Sequence, residues 1–199
     1  MSKVLVACEE SQEVCKAFRA LGHEAYSCDI QPCSGGHPEW HILGDCLPLI
    51  NGNCSFFTMN GEEHKISQSW DLLIAHPPCT YFSRAGMANF SKKKPLEYRE
   101  ARFKKLLESY EFFKKFESSS AERIAIENPV GWLNTHHRKP DFTINPWQFG
   151  HEANKPTCFW TKGLPPLQPT KIVGRGEIVR KKKRKNDFCL VQECDTKGT

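Results

Sequence analysis

The chain has 199 residues, 39% hydrophobic and 26% charged, with a formal net charge of +5. That length suits one well-packed domain rather than two, and no window approaches the roughly 18 to 20 apolar residues a membrane helix requires. The amino terminus, "MSKVLVACEE", runs from a short apolar stretch (Val4 to Cys8) straight into acids, so it does not read as a signal peptide, and the expected compartment is the cytoplasm. There the ten cysteines are expected as thiols rather than disulfides. The cluster Cys28, Cys33, His37, His41 and Cys46 and the pair Cys189 and Cys194 lack the paired C-x2-C spacing of a structural zinc site, and no metal is expected.

"KVLVA", Lys3 to Ala7, is a predicted strand. A helix follows with Val14, Ala17, Phe18 and Leu21 on one face and Gly22 as its stop, and "EAYSCD" is a second strand ending at Asp29. The segment from Gln31 to Gln68 is rich in Gly, Pro, Asn and Ser and reads mostly as loop, with room for a short element around Ile42 to Ile50. Leu72 to Ala75 is a strand with the apolar character of burial on both faces. Pro77 and Pro78 forbid its continuation, because proline has no N–H to give a ladder, so Cys79 is presented on a stiff loop at a strand end. A long amphipathic helix is predicted from Pro95 to Phe116, with Phe103, Leu106, Leu107, Tyr110 and Phe113 as its core stripe.

"RIAIENP", Arg123 to Pro129, repeats the logic of the proline-stopped strand: an apolar run ends on a carboxylate, an amide and a proline. "PTCFWTKGLPP" supplies another strand before a proline-rich exit. Strands interleaved with helices predict an α/β sandwich with a mainly parallel sheet. Neighbouring parallel strands would bring Cys79 and Glu127 to one sheet edge, where open α/β sheets bind their ligands.

From Lys171 onward there are nine Lys/Arg against four acids, so the chain's whole excess of positive charge lies there, centred on "RKKKRK". Residues 1–170 are therefore expected to be the folded unit and 171–199 a basic tail. Such a block fits two readings, a solubilising tail or a polyanion contact that carries affinity without sequence information. The segment "GWLNTHHRKPDF", Gly131 to Phe142, mixes aromatic and basic residues in a way that suits base stacking and phosphate contact, or serves as a surface loop anchored by Trp132.

Asp71 to Gly86 has the form Asp-apolar-apolar-apolar-x-x-Pro-Pro-Cys-x-x-Phe-Ser-x-x-Gly, and "ENP" stands at Glu127 to Pro129. In these two motifs the chain resembles the DNA cytosine-5 methyltransferases, in particular small phage-type members without a large target-recognition domain. The resemblance spans about residues 3 to 165. It implies a Rossmann-like, S-adenosylmethionine-dependent methyltransferase fold.

The resemblance also implies roles. Cys79 would be the nucleophile that adds to C6 of cytosine, Glu127 would hold the N3 edge of the base, and Asn128 would fix the loop. S-adenosylmethionine would lie across the ends of the first strands, with Glu9 and Glu10 toward its methionine part, Asp29 at the ribose, Asp45 at the adenine, and His76 and Pro77 on the floor. Pro78 and Ser83 of the nucleophile loop, with Lys155 and Thr157, would meet the substrate. The partner would be DNA, its cytosine flipped out or single-stranded.

The chain departs from the family at three places, one of them the later arginine motif, replaced around "NKPTCFW" with Lys155 and Thr157 as the nearest candidates for its contacts. The glycine-rich first motif is replaced by "ACEESQE", so cofactor contacts must differ. No recognition domain follows the last strand, so specificity is low or comes from a partner protein, the Gly131–Phe142 segment or the tail. Two other functions stay open on these residues: pyrimidine modification of RNA or a free nucleotide by the same chemistry, and an inactive nucleic-acid-binding protein on the same fold.

Overall fold

The computed structural model describes residues 1–176. The strands are β1 (Lys3–Ala7), β2 (Glu24–Asp29), β3 (His41–Leu43), β4 (Cys54–Phe57), β5 (Glu63–Ile66), β6 (Leu72–Ala75), β7 (Arg123–Pro129), β8 (Phe142–Ile144) and β9 (Thr157–Lys162). The α-helices are α1 (Glu13–Ala20), α2 (Arg84–Met87), α3 (Leu96–Glu117) and α4 (Leu133–His136). Seven strands form one sheet in the order β3-β2-β1-β6-β7-β9-β8. The first five in that order run parallel, while β9 is antiparallel to both β7 and β8. This is an α/β fold with a mostly parallel sheet, compatible with a Rossmann-like architecture. The expected parallel pairing of β6 with β7, with α3 in the crossover, is what the structure has.

The order reverses between β1 and β6, the switch point at which such sheets open a crevice beyond their carboxyl ends. Val4 to Ala7 of β1 are fully buried, as a central strand covered on both faces requires. Leu73 and Ala75 of β6 and Ile124 and Ile126 of β7 face the same core as Leu106, Phe113 and Phe116 of α3. The long helix is therefore present, but its buried stripe is shifted. Phe103 is 50% and Leu107 43% exposed, and both line an open groove of about 420 Å³ with Leu96 and Phe90. The apolar period is wider than the face that meets the sheet, and the amino-terminal half of α3 passes outside the core. In α1, Cys15 is the buried residue, whereas Ala17 is exposed and Leu21 is 74% exposed. Gly22 follows the helix at φ +81°, a conformation that stops it without the strain a Cβ would add.

The segment read as mostly loop contains more structure than expected. β3 extends the parallel sheet, and β4 and β5 form a separate antiparallel hairpin. Its stability comes from partners distant in sequence: Phe56 packs edge-on to Tyr26, and the Trp70 indole N–H donates to the Leu49 carbonyl at 2.6 Å. A hairpin held by such contacts leaves little period-2 signal of its own.

The described residues run a short way past the expected boundary at residue 171. The Lys171 and Val173 amides donate to the Gln148 and Trp147 carbonyls, so the chain remains tied to the folded unit past that point. "RKKKRK" lies outside the described residues, as do Cys189 and Cys194. No helix among the described residues is long and apolar enough to cross a membrane.

Candidate active site at the carboxyl ends of the parallel strands

After β6, the His76 amide still donates to the Ala7 carbonyl of β1, and the two prolines then end the ladder. The Cys79 carbonyl accepts from both the Phe82 and Ser83 amides, at 3.0 and 2.9 Å, which folds the loop into a tight turn. Ser83 caps α2 by accepting from the Gly86 amide. A Cβ on Gly86 would lie 2.2 Å from the Thr80 carbonyl oxygen, so only glycine allows the turn to close this tightly. Among the described cysteines, Cys79 is the exposed one.

Arg102 of α3 pins this loop from outside. Its guanidinium donates to the carbonyls of Thr80 and Gly86, at 3.0 and 3.1 Å, and lies over the rings of Tyr81 and Phe90. Charge-assisted bonds of this kind hold a loop more firmly than neutral ones. Arg102→Ala is expected to speed hydrogen exchange at the Phe82 and Ser83 amides by about tenfold to a hundredfold, the loss of roughly 1.5 to 3 kcal/mol of local stability. Exchange measured by mass spectrometry at these amides checks it.

The parallel register that pairs Ala75 with Ile126 sets the next residues, His76 and Glu127, side by side. His76 Nδ1 stands 3.3 Å from a Glu127 carboxylate oxygen, and both side chains are half-buried. Asn128 points the other way, into the core, and its amide donates to the Pro77 carbonyl at 2.8 Å. This bond fastens the cysteine loop to the neighbouring strand end. Just beyond, Ser83 and Gly131 form a β-bridge and the Trp132 amide donates to the Phe82 carbonyl at 2.7 Å.

Two adjoining cavities open beside this junction, sharing Cys8 and Asp29. One, of about 330 Å³, is lined by Asp29, Gly44, Asp45, Cys46 and Pro78, and the other, of about 300 Å³, by Glu9, Glu10, Ser11, Asp29 and His76. Cys8 and Cys28, at their inner walls, are held protonated well above the ordinary thiol range, Cys8 by its bond to Cys46 and by burial, Cys28 chiefly by burial. They present neutral, unreactive walls. Asp29 and Asp45 each accept one backbone N–H, from Gln31 and Leu47 at 2.9 Å, which orients both carboxylates at the ends of β2 and β3.

Glu9 lines the second cavity and is also bonded to the start of α1. It is 5% exposed, and its carboxylate accepts the Val14 and Cys15 amides, so it clamps the start of the helix. Burial raises its pKa above the ordinary carboxyl value, against the lowering effect of those two bonds. A raised folded-state pKa means that the native state binds the proton more tightly than the unfolded chain. The associated stability is therefore present at low pH and lost as pH rises through the elevated value. Measured against Glu9→Gln, which carries no titration there, the parent is expected to lose relative stability as pH climbs from the ordinary glutamate range toward neutrality, in denaturant melts along a pH series.

Glu10, Asp29, Asp45 and His76 line the two cavities. Pro77 is buried and serves through its carbonyl, while Pro78 lines the cavity floor in its place. Lys155 is exposed in the strand-free approach to β9, and the Thr157 hydroxyl donates to the Lys155 carbonyl. Neither is bonded to the cysteine loop. In the cysteine and histidine cluster, both His41 nitrogens are occupied by Ser27 and Gln31, and no three His, Cys, Asp or Glu side chains among the described residues could share a metal ion. Sequence reasoning missed Arg102 and Gly131. A lone arginine on an amphipathic helix carries no signal, but a glycine two residues after the "ENP" proline is a cue to close backbone approach.

No family model matches this chain, and no curated protein matches it.

Proposed function

We propose that this chain methylates C5 of cytosine in DNA, using S-adenosylmethionine. The observation that carries the reading is the junction itself: an exposed cysteine and a half-buried glutamate at the ends of adjacent parallel strands, with Asn128 tying the two together beside a crevice. The residues at the crevice suit such a cofactor. Two oriented carboxylates, Asp29 and Asp45, offer acceptors for hydroxyl and amino groups, and the acidic lining around Glu10 favours a cationic ligand. The missing glycines are answered by backbone at Cys8 and Gln12 that adopts positive φ without them.

When bound, S-adenosylmethionine supplies an electrophilic methyl group. The remaining work falls to the chain. The Cys79 thiolate forms a bond to C6 of the base, and the displaced electron pair makes C5 nucleophilic. Glu127 hydrogen-bonds the N3 and amino edge of the base, stabilising the charge that develops there. His76, against the Glu127 carboxylate, sets where that carboxylate points. Once C5 carries the methyl, loss of its proton re-forms the C5=C6 double bond, and the C6–S pair returns to Cys79.

Purified protein, unmodified DNA and S-adenosylmethionine are expected to yield 5-methylcytosine by nucleoside mass spectrometry. A folded, cofactor-binding protein that leaves DNA unmodified would sink this reading, and 5-methylpyrimidine in RNA or a free nucleotide instead would move it to that acceptor.

A further inference from the structure

A column of stacked rings runs from the core to the surface beside the cysteine loop. Phe82 is buried, Trp132 lies 6.0 Å from it at 24°, and His136 lies 4.4 Å from Trp132 at 2°, nearly parallel. His136 is exposed, so the column ends in an aromatic face turned to solvent. Its Nδ1 lies 2.7 Å from the Thr135 hydroxyl and 3.1 Å from the Trp132 carbonyl, contacts that hold the ring in place against Trp132.

The column stands in a cleft of about 480 Å³ lined by Arg84, Met87, Val130, Trp132, Thr135 and His136 among others, none of them acidic. Arg84 is exposed and, among the described residues, has no ion pair or side-chain hydrogen bond. The cleft is also joined to the nucleophile loop: Arg84 follows Ser83, which bridges to Gly131, and the Ser83 amide donates to the Cys79 carbonyl. An unpaired guanidinium beside an open aromatic face matches the two halves of a nucleotide, phosphate and base.

We infer that this cleft seats the nucleotide neighbouring the target cytosine on the same DNA strand, its base stacked on His136 and its phosphate against Arg84. The inference rests on the reading of Cys79 as the group that meets the target base. Stacking accepts any base, so the subsite supplies grip on the strand without sequence choice.

The test uses the full chain and a single-stranded oligodeoxynucleotide with 2-aminopurine beside a cytosine, followed by fluorescence and anisotropy. Binding is expected to quench the 2-aminopurine. His136→Ala should lose the quench and bind about tenfold more weakly, while His136→Phe keeps both. Arg84→Gln should retain the quench but weaken binding with a shallower salt dependence, by about 0.7 in the log–log slope. Absence of quenching in the parent, or a His136→Ala protein that quenches and binds like the parent, overturns the subsite. Nucleoside mass spectrometry on the same preparations separates the two ideas. Methyl transfer that ignores His136 sinks the subsite alone, and His136-dependent stacking without methyl transfer sinks the reaction alone.

Discussion

Cys79→Ser is expected to abolish 5-methylcytosine formation, by about 10⁴-fold or more, while leaving the protein folded. Removal of a covalent nucleophile typically costs that much, because a serine hydroxyl is not ionised at neutral pH and cannot make the C6 bond. The fold should not register the change. Cys79 is exposed, and exposed substitutions away from special features stay within about 0.5 kcal/mol. Activity and thermal unfolding measured together therefore give a sharp result: product gone, midpoint unchanged. A Cys79→Ser protein that still makes 5-methylcytosine would remove the nucleophile assignment outright. Glu127→Gln gives a graded companion, expected at about 10²-fold to 10⁴-fold slower, since a positioned acid or base contributes in that range. DNA carrying 5-fluorocytosine should trap the parent as a covalent complex, because the fluorine blocks the proton loss that frees Cys79. Cys79→Ser should not be trapped.

Gly131→Ala should act on stability and activity at once. A Cβ there would stand 1.9 Å from the Phe82 carbonyl oxygen and 2.9 Å from its carbon, both backbone atoms of a residue buried in the core. Neither side can yield as a flexible side chain would. The bridge from Ser83 to Gly131 and the Trp132 to Phe82 hydrogen bond must open, at about 3 kcal/mol by comparison with other overpacked sites. For a domain of this size that is roughly 6 to 12 °C in the unfolding midpoint. The bridge joins the Cys79 loop to the strand end that carries Glu127, so their separation should change as well, and methyl transfer should fall at least about 10²-fold at temperatures where the variant is folded. Gly174, which has nothing within 4 Å of its Cβ position and no positive φ, is the control. Gly174→Ala should leave both quantities within error, and an equal loss at the two positions would refute the steric argument.

The amino-acid sequence alone determined the features that depend on neighbours in the chain. An apolar run stopped by Pro77 and Pro78, a second ending in Glu127 and Asn128, and the first β-α-β unit are local patterns, and the structure places each where the pattern puts it. Parallel pairing of β6 and β7 followed from the helix between them.

Tertiary structure decided what depends on partners far along the chain. The face of α3 that is buried is selected by where the sheet ends, so Phe103 and Leu107 fall outside the core although they share the apolar period of Leu106 and Phe113. The β4–β5 hairpin is held by Tyr26 and Trp70 rather than by its own alternation. Glu9 is committed to the start of α1 because the turn after β1 aims it there, and a glutamate beside a cavity reads the same in sequence whether or not it is already bonded. Arg102 meets the Cys79 loop across the span from Thr80 to α3, and the rings of Phe82, Trp132 and His136 align only after β6 and β7 pair. Local sequence encodes which groups stand at a strand end; long-range packing decides which of them remain free to act.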